Sequence, residues 1–63
     1  MMTYLITDDN GRELQNNVPE HDRDSVGQEW ADRLRVNVYA YVNSETVIPG
    51  MLEAPYPYEP SES

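Results

Sequence analysis

The chain has 63 residues with no cysteine, one histidine, and twelve Asp and Glu against four Lys and Arg, a formal charge of −8. That length allows one domain that buries only roughly 60% of its unfolded surface, a marginal core without disulfides or thiolate metal sites to support it. The acidity repels phosphate backbones and so disfavours direct nucleic-acid binding, and no stretch approaches the roughly 20 apolar residues that span a bilayer.

Residues 3–7, TYLIT, are a run of β-formers followed by DDNG. Asn10-Gly11 is the favoured pair for a two-residue type I′ hairpin turn. Residues 12–18 then form the returning strand. With only Leu14 and Val18 apolar, it reads as a polar edge strand, whose charged side chains resist unwanted pairing, or as a short one that frays after Gln15. Pro19 closes it.

A helix follows. Ser25 and Gln28 have capping-box spacing, with Asp22 as an N-cap one turn earlier. Acidic residues gather at its start, and Arg33 and Arg35 at its end, as the helix dipole favours. Val26, Trp30 and Leu34 recur at i, i+4 and i+8, flanked by Gly27 and Ala31, which gives one apolar face with Trp30 as its core anchor.

In residues 36–42, VNVYAYV, the apolar Val36, Val38, Ala40 and Val42 alternate with Asn37, Tyr39 and Tyr41. One face of this strand matches the helix; Tyr39 and Tyr41 belong to the other. The first strand adds either Leu5 or Tyr4 and Ile6 to that second face. Thr46, Val47 and Ile48 can form a short fourth strand before Pro49-Gly50. From Glu53 on, the proline-rich sequence EAPYPYEPSES reads as a flexible, extended acidic tail.

The expected organisation is therefore a single α+β domain over 1–52 and a tail over 53–63. The domain has a small antiparallel sheet of three or four strands with one helix on one face, in the order β-β-α-β. A right-handed crossover sets the third strand beside the first, giving the spatial order 2-1-3, or 2-1-3-4 with the fourth strand.

No cofactor, metal or catalytic residues are expected. His21 lies among Glu20, Asp22 and Asp24, but the sequence offers no nucleophile or oxyanion donor to go with it. A calcium loop placed with Gly11 at its glycine position would put Ile6 at the first ligand position, so DDNG is a turn. Acidity is concentrated in Asp8, Asp9, Glu13, Glu20, Asp22 and Asp24, and again in the tail. These six carboxylates, with Tyr39 and Tyr41, are the candidate partner-binding residues. Tyrosine suits an interface because it brings a large area, a polar tip and few rotors.

In length, charge, lack of cysteine and element order, the chain resembles small acidic bacteriophage proteins, among them anti-CRISPR and anti-restriction inhibitors of the DNA-mimic type. The resemblance carries over no individual residue. It implies a non-enzymatic inhibitor that presents an acidic surface to the basic, nucleic-acid-binding site of a host protein. The alternative is a structural or adaptor module that forms a homodimer through its tyrosine-bearing face. Without a basic, apolar leader at the start of the sequence, the expected location is the cytoplasm, that of the host if phage-encoded.

Overall fold

The computed structural model describes residues 2–59. Its elements are β1 (Thr3–Thr7), β2 (Glu13–Pro19), α1 (Glu20–Leu34), β3 (Val38–Val42) and β4 (Leu52–Tyr56). The four strands form one sheet in the order β2-β1-β3-β4, with every neighbouring pair antiparallel. The α+β class and the order 2-1-3 hold, and a fourth strand lies beside β3. β2 and β3 run parallel on either side of β1, joined by α1, which lies on one face of the sheet.

The alternation expected for VNVYAYV is realised. Val38, Ala40 and Val42 are buried toward the helix, while Tyr39 and Tyr41 are half-buried on the far side. In β1 the two candidate faces are resolved by register. Tyr4 pairs with Val42 and Ile6 with Ala40, which puts both in the core, whereas Leu5 opposes Tyr41. The core comprises Tyr4, Ile6, Val18, Ala31, Val38, Ala40, Val42 and Tyr56.

Several local expectations are corrected. The type I′ turn does not form, because of the pair Asn10-Gly11 only Gly11 takes a positive φ, 83°. Asp8 O accepts from Gly11 N at 3.1 Å and Asp8 N donates to Arg12 O at 3.0 Å, which makes a three-residue loop of Asp9, Asn10 and Gly11. The Asp8 carboxylate holds that loop, accepting from the backbone N–H of Asn10 at 2.9 Å and of Arg12 at 2.8 Å.

The helix starts earlier than the capping signals suggest. Pro19 is its N-cap, extended at φ −64° and ψ 152°, and no side chain caps it, so Asp22, Ser25 and Gln28 all lie inside the helix. Proline's fixed φ and missing N–H let the chain pass from strand to helix without a loop. Its face is also rotated from the expected one. Gly27 and Ala31 are the buried positions, Val26 and Trp30 are half-buried, and Leu34 is exposed. Small residues at i and i+4 let the helix approach the sheet closely, and large side chains from the strands fill the space beside them.

The fourth strand forms, but not at Thr46, Val47 and Ile48. It runs over Leu52–Tyr56, across the boundary placed after residue 52, so residues 53–56 belong to the domain and not to a tail. Pro55 is tolerated because β4 is an edge strand with no outer neighbour to receive an N–H. Tyr56 is only 7% exposed and ties the strand down. Beyond it, Tyr58 N donates to Asn37 Oδ1 at 3.1 Å. The remainder of the expected tail, residues 60–63, lies outside the described residues.

Candidate functional site

Among the described residues, the one helix covers one face of the sheet and leaves the other uncovered. On the other, Leu5 stands opposite Tyr41 and Thr7 opposite Tyr39. Across the next strand pair, Tyr41 opposes Leu52 and Tyr39 opposes Pro55. These side chains form a band across β1, β3 and β4. Thr7 is buried within it in register between Glu13 and Tyr39, and its hydroxyl finds no hydrogen-bond partner among the described residues. Asn43 Nδ2 donates to Asn16 Oδ1 at 2.6 Å, linking the end of β3 to β2.

Both sheet edges are irregular. β2 changes register twice against β1 and carries Asn17 at φ 57°; β4 changes register once against β3 and contains Pro55. Bulges and proline make an edge a poor template for strand addition, which leaves the open face as the more accessible surface.

The six carboxylates do not form one cluster. Thr3 pairs with Pro19 and Thr7 with Glu13, so the start of the helix and the β1–β2 turn lie at opposite ends of β1, about 13 Å apart. Asp8, Asp9 and Glu13 are at the turn end. Glu20, Asp22 and Asp24 are at the other, in the first two turns of α1. Asp8 is engaged by the loop it closes. His21, 80% exposed, lies 3.5 Å from Asp22. Among the described residues, no three His, Asp or Glu side chains come together as metal ligands do.

The sequence gives little sign of one cluster on the covered face. Arg23 on α1 lies over the Tyr4 ring at 4.9 Å and donates through Nε to the Tyr56 hydroxyl at 3.0 Å and to Asp24 Oδ1 at 3.3 Å. Tyr56 in turn donates to Asp24 Oδ1 at 2.7 Å, and Glu53 lies 3.7 Å from Arg23. Burial pushes the Tyr56 phenol up to about 12, helped by its bond to Asp24. The Asp24 carboxyl falls below its ordinary value because Tyr56 donates to it and Arg23 lies beside it. Burial works against the Arg23 charge, yet its bonds to Tyr56 and Asp24 raise its pKa above that of an ordinary arginine. The cluster is a clasp between helix and edge strand. It commits Asp24 to a structural role, although that carboxylate remains exposed.

Trp30, the expected core anchor, is half-buried over the β2 side. Its Nε1 donates to Gln15 Oε1 at 3.0 Å, and Arg33 lies over its ring at 5.2 Å.

Comparison with protein-family models, curated proteins and solved structures returned no match. Among the described residues no helix is long and apolar enough to cross a membrane. The surface itself therefore carries the functional reading.

Proposed function

We propose that this chain is a non-catalytic binding module, an inhibitor that occupies a basic, nucleic-acid-holding surface of a partner protein. The observation that carries this reading is the uncovered sheet face, on which Leu5, Tyr39, Tyr41 and Leu52 adjoin across three strands of a chain with net charge −8. Tyrosines on such a face supply contact area, and the surrounding charge selects a partner of opposite sign. Nucleic acid is disfavoured by the same field that attracts a protein built to hold it. The small acidic phage inhibitors that the chain resembles act in this way, in the cytoplasm of the host.

In the test, the immobilised chain captures proteins from host lysate at low and high salt, and heparin is used to displace them. The expected capture is of basic proteins, weakened sharply by salt, reversed by heparin and reduced in a Tyr39→Ser, Tyr41→Ser double variant. Capture that ignores both salt and the double variant overturns the proposal.

The small core favours a second reading, in which another copy of the chain covers the open face. Repulsion between two chains of −8 opposes it. Light scattering at high concentration separates the two: a dimer that dissociates in the double variant supports self-association, and a monomer excludes it.

A further inference from the structure

Among the described residues, four of the five large exposed hydrophobic side chains sit together in sequence: Val47, Ile48 and Met51 between β3 and β4, and Leu52 at the start of β4. Ile48 is the most exposed of them, at 67%. A loop that only connected two strands of an acidic protein would be expected to be polar.

This loop is also held in shape. Val42 N donates to Met51 O at 2.9 Å and Gly50 N to Val42 O at 2.7 Å, which closes its base. Met51 N donates to Ile48 O at 3.3 Å around Pro49 and Gly50, and Gly50 takes φ 77°, the pattern of a type II turn. On the other limb, Thr46 N donates to Ser44 Oγ at 3.1 Å. An apolar tip fixed at both limbs loses little entropy on binding. Leu52 opposes Tyr41, so the tip continues into the open face.

Charge identifies what the tip fits. Asn43 N donates to Thr3 O at 3.0 Å, which puts the loop at the same end of the sheet as Pro19 and the helix start. Met2 lines a groove with Pro19, Glu20 and His21 and another with Asn43, Ser44 and Glu45, so the two segments flank it. Glu20 and Glu45 therefore flank the base of the tip. Arg23, on the same half of the helix, is engaged by Asp24, Tyr56 and Glu53. Arg12, Arg33 and Arg35 are at the far end, by the β1–β2 turn and the helix C-terminus.

We infer that the β3–β4 loop is the anchor of the binding surface: Val47 and Ile48 insert into an apolar pocket of the partner whose rim carries Lys or Arg. This rests on the binding-module reading above and adds to it the point of attachment and the chemistry of the pocket. A second copy is disfavoured as occupant, since it would bring acid to acid. An anionic bilayer is disfavoured for the same reason.

The test uses isotope-labelled full chain and two short peptides. One is an amphipathic helix of Leu and Lys, with an apolar stripe bordered by ammonium groups; the other replaces Leu with Ser. NMR titration at low salt is expected to shift the amides of Val47, Ile48 and Met51 with the Leu/Lys peptide. Ile48→Ser is expected to weaken that peptide about tenfold or more, as loss of a central apolar contact does, while leaving the Ser/Lys peptide unaffected. Leu34→Ser, at the opposite end, is expected to leave both unaffected. Ile48 packs so little against the fold that its variant should retain the parent circular dichroism spectrum.

Equal binding of both peptides, unmoved by Ile48→Ser, overturns the anchor and leaves the acidic-surface reading standing. Failure of both peptides to bind overturns the two together. Ile48-dependent sedimentation with neutral lipid vesicles, or Ile48-dependent self-association without peptide, overturns the anchor in favour of a bilayer or a second copy.

Discussion

Gly27 is the residue on which the packing of α1 against β4 turns. A Cβ built there collides with the Tyr56 ring at Cδ2, Cε2 and Cγ. The ring cannot swing away cheaply, because its hydroxyl is bonded to Arg23 and Asp24. Alanine normally gains about 1 kcal/mol over glycine inside a helix, whereas overpacking costs about 1–3 kcal/mol. Gly27→Ala is therefore expected to destabilise by about 1 kcal/mol net, read from the urea midpoint. In a Tyr56→Leu background the same substitution should become neutral or stabilising. Tyr56 also sets an alkaline limit. Its folded pKa, about 12, lies above the unfolded value of about 10. The stability it contributes is complete below pH about 10 and is lost as pH rises toward about 12, because only the unfolded chain has then released the proton. Denaturant midpoints across that window are expected to fall with pH, and Tyr56→Phe should flatten the slope. A lone glycine on an apolar helical face is a visible sign of close approach. Its partner was not visible, because Tyr56 lies 29 residues along the chain in a segment rich in proline.

At the scale of elements, local chemistry and tertiary packing separate cleanly. β1 and β3 were legible because their alternation matches a half-buried strand, and α1 because its apolar residues keep helical spacing. β4 was not. LEAPY contains a proline and a glutamate, and no local preference makes it a strand. It forms because Ala54 and Tyr56 find places beside Ala40 and Val38 under the helix, and because an edge strand tolerates Pro55. Thr46, Val47 and Ile48 have better β propensity and nothing to pair with, so they remain in the loop. A chain ended after Leu52 is accordingly expected to lose more than about 3 kcal/mol, comparable with deleting a large buried aromatic, or to lose its cooperative transition altogether. Thermal and urea unfolding followed by circular dichroism would show it. A dispensable tail would leave both curves in place. The candidate site follows the same division. Tyr39 and Tyr41 were placed on the second face by alternation alone, whereas the exposed loop beside them became apparent only when β4 was located.

For the whole molecule, charge and topology act over longer distances than any contact. Twelve acidic residues against four arginines leave a repulsive excess that four ion pairs among the described residues, three of them with Arg and one with His21, do not balance. Surface pairs of this kind are worth little, while net repulsion is spread over the entire fold. Raising salt is therefore expected to increase the melting temperature, where a protein held by its ion pairs would become less stable. Scanning calorimetry at low and high sodium chloride would decide it. From the sequence alone came an acidic composition, a helix on a single sheet and the order 2-1-3, because composition, periodicity and crossover handedness are properties of the chain itself. Only the tertiary structure decided where the last strand lies, that the six carboxylates divide between two ends, and that an apolar tip stands beside the tyrosine face. Each of those depends on which distant residues compete for the same buried space, and that competition is resolved only when the whole chain has folded.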